Sequence, residues 1–248
     1  MSDLRILMIG ATSAVAQGVA EKYAAHDAKI FCVARNETKM AQVADTLGDA
    51  CAGFICADFN EAGFAERAIM QAIESLGQID ISLIAHGVLL DQVASEHDFE
   101  IARLTIETNL LTVVSFIIPL TEQLKKQGHG KIGVITSVAA ERGRPRNFTY
   151  GAAKGAVNIY LQGLRSVLYG SGVEVYTFKM GPVDTPMTVD HPKNFSFATV
   201  DQISTQIVKA FQKKRYEVYL PPFWRLVMFF VRIMPEWFFQ RLEFLSAR

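Results

Sequence analysis

Short apolar runs alternate with longer amphipathic stretches from the start of the chain, and this alternation constrains the fold more than any other feature. Candidate strands cover 4–9, 29–33, 52–56, 81–85, 132–136 and 173–178, with helix-like stretches near 14–26, 37–48, 61–76, 98–126, 148–169 and 199–213. A strand that is apolar on both faces must be covered on both. Six such strands with crossover helices predict an α/β fold, a doubly wound parallel sheet flanked by helices on both faces. No repeat or linker interrupts the run, which predicts one domain over 1–215 and a C-terminal helical tail over 216–248.

Half of the 248 residues are hydrophobic and the formal charge is zero. That excludes disorder and argues against nucleic acid as a partner. Cys32, Cys51 and Cys56 lack zinc-type pairing, so free thiols and no metal site are expected. The apolar run from Ile6 to Ile9 is too short for a secretory signal, which predicts a cytoplasmic protein.

In a doubly wound sheet, ligands bind outside the carboxyl ends of the strands. The first such loop, Gly10-Ala11-Thr12-Ser13-Ala14-Val15-Ala16, is small-residued and opens a helix, so a pyrophosphate can approach backbone N–H groups at the positive end of the helix dipole. Small residues there also serve tight helix–strand packing. Arg35, after the second strand, stands where NAD-specific sites carry an acid; it can accept a 2′-phosphate and so favours NADP over NAD. Asp58, past the third strand, can accept from an adenine amino group, or simply form a turn.

Tyr150-Gly151-Ala152-Ala153-Lys154 places a phenol and an ammonium four residues apart on one helical face. A neighbouring cation is expected to favour the phenolate and bring a pKa near 10 toward the working range. Ser137, at the end of a candidate strand, can orient a substrate carbonyl. Asn109, within the long helix before that strand, can fix a water that relays protons from Lys154. Together these four residues define a proton-transfer site.

On these motifs the chain resembles the short-chain dehydrogenase/reductase family over residues 4–213. The resemblance implies a Rossmann-type fold, with the family's catalytic tetrad falling on Asn109, Ser137, Tyr150 and Lys154. Its glycine-rich cofactor motif falls on Gly10 to Ala16, with alanines in place of the second and third glycines. Its Asn-Asn-Ala-Gly stretch appears as Ile84-Ala85-His86-Gly87, where Ala85 and Gly87 would border the cofactor and His86 departs from the pattern. Pro182, Val183 and Thr185 would hold the nicotinamide carboxamide. Hydride would pass between nicotinamide and a carbonyl or alcohol carbon, with Tyr150 handling the proton and Lys154 holding the nicotinamide ribose. Family resemblance further implies a homodimer or homotetramer.

Two features bear on the substrate. Arg142, Arg144 and Arg146 follow Ser137 at every second position and can present donors to a phosphate or other anion, or lie in solvent. The tail from Val218 to Phe239 brackets an aromatic-rich helix of about 12 residues between prolines, too short to cross a bilayer. It suits a membrane interface, with Lys213, Lys214 and Arg215 as anchors, or else burial against the protein body or a partner subunit. These features also resemble a subgroup of reductases of polyprenyl-phosphate-linked keto-pentoses, of the decaprenylphosphoryl 2-keto-ribose type. The expectation is an NADPH-dependent ketone reductase acting on a lipid-linked or amphipathic substrate, peripheral to the membrane. Its rivals are a soluble alcohol or ketone oxidoreductase whose tail forms an oligomer interface, and a nicotinamide sensor without turnover.

Overall fold

The computed structural model describes residues 4–188 and 196–242. Seven strands form one sheet, and every pairing is parallel: β1 (Arg5–Ile9), β2 (Lys29–Ala34), β3 (Cys51–Cys56), β4 (Ile81–Ile84), β5 (Gly130–Ser137), β6 (Val173–Met180) and β7 (Glu217–Leu220). The order is β3-β2-β1-β4-β5-β6-β7, so the winding reverses between β1 and β4. That reversal opens the cleft in which a doubly wound sheet takes its ligand.

The period-2 geometry of β1 shows how both faces are filled. Ile6 and Met8 pack with α1 (Ala14–Ala24), α2 (Glu37–Leu47) and α8 (Val200–Gln212), whereas Leu7 and Ile9 pack with α3 (Phe64–Leu76), α6 (Thr112–Gln127) and α7 (Phe148–Val167). The six predicted strands are all present, and three cysteines are free thiols among them and their neighbours.

Two elements differ from the sequence reading. The segment Glu217–Leu220, assigned there to the tail, joins the sheet as its seventh strand beside β6. It is a four-residue, half-exposed edge strand, too short to show a period, and the helical tail begins only at Pro221. The long helix over 98–126 is three pieces preceded by α4 (Gln92–His97): α5 (Phe99–Ile106), a π-helical segment (Glu107–Leu111) and α6. Residues 99–127 are long and apolar enough to cross a membrane, yet Val113, Phe116, Ile117, Leu120 and Leu124 are fully buried against the sheet. The tail consists of α9 (Trp224–Ile233) and α10 (Glu236–Phe239).

Packing under β5 leaves no room for a methyl group at Gly133, where a Cβ would lie 2.4 Å from the ring of Phe211 and 2.7 Å from that of Phe178. Both rings are fully buried. Gly133→Ala is therefore expected to destabilise the fold by about 1–3 kcal/mol through overpacking, read as a lower urea midpoint at unchanged slope.

Candidate active site

The loop after β1 turns at Gly10, whose φ of +79° favours glycine; a Cβ there would sit 2.6 Å from the backbone nitrogen of His86. This close approach brings the loops after β1 and β4 together at the winding reversal. Helix α1 then starts behind Ser13, which makes no side-chain cap bond, and its first turn has no acid. An open, positively polarised helix start beside a glycine turn fits the pyrophosphate of a dinucleotide. Arg35 follows β2 and is exposed. Asp58 forms an Asx turn, its Oδ1 accepting the Asn60 amide at 2.9 Å, so the turn role is realised there.

Catalytic geometry is set by how α7 meets the loop after β5. A Cβ at Gly151 would lie 2.7 Å from the Ala139 carbonyl oxygen, and one at Gly155 would lie 3.2 Å from that of Ala140. These two glycines let the helix settle on the Val138–Glu141 turn and carry Tyr150 to Ser137. The Ser137 Oγ also accepts the Ala139 amide at 3.0 Å. At the start of α7 the buried Gln92 side chain clasps Thr149, accepting its amide at 3.0 Å and donating to its hydroxyl at 3.2 Å. Gln92, Gly151 and Gly155 were not singled out from sequence; glycines flanking Lys154 on one helix face were the available signal.

Lys154 is buried, its Nζ donating to the Ile135 carbonyl at 3.3 Å. Asn109 is fully buried and lies in the π-helical segment, where the extra residue per turn rotates it inward. Its Nδ2 donates to the carbonyls of Val88 at 2.8 Å and Thr105 at 2.9 Å, and its Oδ1 accepts from the Val88 amide at 3.2 Å. Both groups converge on Gly87, where a Cβ would lie 2.7 Å from Asn109 Oδ1 and 3.3 Å from Lys154 Nζ. Of the four predicted residues, Tyr150 is thus joined to Ser137 and Asn109 meets Lys154 at Gly87, with Tyr150 and Lys154 one turn apart on α7.

The expected electrostatics need a correction. Burial sets the direction of the Tyr150 shift, pushing the phenol up to about 12, opposed by the hydrogen bond with Ser137. Burial also draws Lys154 down to about 8. Removal from water outweighs the proximity that the four-residue spacing promised.

His86 is buried with its Nε2 2.9 Å from the Thr112 hydroxyl, under the edge of Phe59. Thr112 already donates its proton to the Thr108 carbonyl at 2.8 Å, so it can only accept from His86. The imidazole is therefore the neutral Nε2–H tautomer, leaving Nδ1 buried as an acceptor with no partner among the described residues. Burial, then the charges of Lys154 and Arg35, hold its pKa down at about 3.

Beyond β6, the loop carrying Pro182, Val183 and Thr185 is pinned by the Thr188 hydroxyl donating to the Val183 carbonyl at 2.6 Å and by a bridge from Val183 to Ala198. The arginine loop divides. Arg142 turns away to the tail, donating to the Val231 carbonyl at 2.7 Å and to Glu236 at 2.8 Å, which removes it from the expected substrate set. Arg144 is partly buried, its Nε has no partner among the described residues, and Arg146 is exposed. Burial and then the neighbouring Arg146 lower the Arg144 pKa.

Comparison with known proteins agrees with this geometry. The profile of the family described as short chain dehydrogenase matches residues 5–195. An uncharacterized oxidoreductase encoded in the mprA 5′ region of Streptomyces coelicolor is 28% identical over 239 residues, covering 96% of this chain and 95% of the relative. The ketoacyl reductase HetN of Nostoc sp. is 26% identical, covering 86% of this chain and 77% of that protein. A crystal structure of a short chain dehydrogenase from Burkholderia cenocepacia in complex with NADP superposes with a TM-score of 0.84 at 22% identity, covering 98% of this chain and 99% of that one.

The neutral His86 gives the fold a pH signature. Its pKa is near 6.5 when unfolded and about 3 when folded, so between those values the unfolded chain binds the extra proton. Stability is then present above pH 6.5 and lost as pH falls, by at most about 1.4 kcal/mol per unit. Urea melts from pH 6.5 to 4 should show a shallower decline for His86→Leu than for the parent; equal slopes would contradict the buried neutral state of His86.

Proposed function

Because the chain belongs to the short-chain dehydrogenase/reductase family of oxidoreductases, we propose that it is an NADP(H)-dependent ketone reductase acting on an amphipathic or lipid-linked carbonyl compound. The observation that carries this is the hydrogen bond between Tyr150 and Ser137 together with the approach of Asn109 and Lys154, one turn along α7 from Tyr150, to Gly87. When bound, the nicotinamide supplies the carbon that gives or receives hydride.

The chain's own groups handle the oxygen. Ser137 donates to the carbonyl oxygen and holds it beside Tyr150, which delivers the phenolic proton as charge develops there. Burial keeps the phenol protonated at neutral pH, as donation to a carbonyl oxygen requires. The Lys154 cation, one turn along α7, stabilises the phenolate left behind, and Asn109 fixes the local geometry through Val88.

Arg35 and the absence of an acid at the end of β2 support NADP over NAD, as does the NADP bound in the Burkholderia structure. Gly10, Thr12 to Val15, Ala85, Gly87 and the Pro182–Thr185 loop would hold that cofactor. Arg144 and Arg146, a cationic pair beside the cleft loop, support an anionic group on the substrate. The aromatic tail supports work at the cytoplasmic membrane face, where a lipid-linked substrate is found. Exposed apolar side chains on α6 and α7, including Leu111 just before α6, Ile118 and Ile159, support a homodimer or homotetramer.

The decisive experiment extracts membranes of cells lacking the protein and seeks an accumulated ketone that the purified chain consumes with NADPH. Tyr150→Phe should lower that turnover by roughly 10²–10⁴-fold while NADPH binding persists. In fluorescence titrations NADPH should bind more tightly than NADH, and Arg35→Asp should erase the difference. Turnover by Tyr150→Phe at the parental rate would end this reading.

A further inference from the structure

Helix α9 is apolar nearly all round, and its two faces have different fates. Met228 and Val231, with Phe239 of α10, are buried against Val138, the residue after Ser137. Trp224 packs on Gly181, where a Cβ would lie 2.0 Å from the indole nitrogen. Arg142 fastens this inner face, binding the carbonyls at the end of α9, pairing with Glu236 and stacking 4.0 Å over the Phe239 ring. The buried Glu141, paired with Lys179 at 2.6 Å, also reaches Arg232 at 3.4 Å. The tail is thereby seated on the two loops that flank the catalytic cleft.

The outer face is open. Leu226, Phe229, Phe230 and Ile233 fall at helical spacing and are 54–64% exposed, continuing into Trp237 and Phe238 of α10. A helix that is apolar all round requires a second apolar environment for the face the protein leaves uncovered. Charge indicates which one. Residues 221–242 hold three arginines, Arg225, Arg232 and Arg241, against the single carboxylate of Glu236, which Arg142 already occupies; Arg232 reaches Glu141, so the surface charge rests on Arg225 and Arg241. Arg241 lies 5.6 Å over the Trp237 ring, at the edge of the apolar face. An isologous contact with a second copy would bring these cations toward each other, whereas anionic headgroups match them.

We propose that the outer face of α9 and α10 docks on an anionic bilayer while the inner face, latched by Arg142, holds the mouth of the catalytic cleft beside that surface. The inference rests on the reading of the protein as a reductase of an amphipathic ketone, and adds the surface, its lipid charge and its fixed attachment to the cleft. Aromatic rings would enter the interface, with the arginines reaching back to headgroups.

The chain has only two tryptophans, Trp224 on the inner face and exposed Trp237 on the outer, so Trp224→Phe leaves a probe on the proposed surface. Full-length Trp224→Phe protein is mixed with phosphatidylglycerol or phosphatidylcholine vesicles containing acyl-brominated lipid. Trp237 emission should be quenched, more strongly on phosphatidylglycerol. The double change Phe229→Ser with Phe230→Ser should weaken partition roughly tenfold or more. Arg225→Gln with Arg241→Gln should remove the preference for phosphatidylglycerol. Arg142→Gln should keep vesicle binding but speed amide exchange across residues 137–147; unchanged exchange would overturn the latch. An unquenched Trp237, or partition indifferent to the phenylalanine change, would overturn the docking, and self-association abolished by that change would assign the face to a second copy. NADPH titration of the same samples separates the two readings. Normal NADPH binding by vesicle-blind protein counts against docking alone, whereas vesicle binding without NADPH affinity counts against the reductase.

Discussion

The seating of α7 on the turn after β5 is the contact from which the rest of the site follows. Gly151 and Gly155 present bare backbone to the carbonyls of Ala139 and Ala140, and a side chain at Gly151 would force the helix away from the sheet. With the helix seated, Tyr150 meets Ser137 and Lys154 reaches under Gly87 to Ile135. The same turn continues into Glu141 and Arg142, which grip the tail. One close backbone approach therefore sets Tyr150 against Ser137 and fixes the surface that carries α9.

Burial, rather than pairing of opposite charges, shapes the electrostatics of the cleft. Tyr150 is held protonated and Lys154 is drawn toward neutrality by the same loss of water. His86 is kept neutral beside them and Arg144 is partly desolvated next to Arg146. A cleft lined by cationic groups in low dielectric favours an anion strongly, because the anion restores what desolvation removed. That bias suits a phosphorylated dinucleotide and an anionic substrate alike.

Much of this was legible in sequence because parallel strands buried on both faces leave uninterrupted apolar runs. The β1 to β6 series is legible that way, and the Tyr150–Lys154 pair from its one-turn helical spacing. Strand β7 was not, since four half-exposed edge residues ending at a proline carry no period. The π-helical segment was hidden because a single inserted residue leaves the hydrophobic pattern of a long helix intact. The sign of the Tyr150 shift was out of reach because spacing reports neighbours and not burial. Arg142 looked equivalent to Arg144 and Arg146, and only the return of the tail from the far edge of the sheet separates them.

That return also shows which face of the tail is buried against its own protein. An aromatic helix can be buried against its own protein or rest in an interface, and composition supports both. Strand β7 delivers the chain to the carboxyl end of the sheet at Leu220, directly beside β6 and the loop that follows it. From there Met228 and Val231, three residues apart, point to the body, and the set at Leu226, Phe229, Phe230 and Ile233 points outward. A short helix thus buries one face against the body and leaves the other exposed. The latch makes the two faces mechanically one, because Arg142 joins the end of α9 to the turn that begins at Ser137.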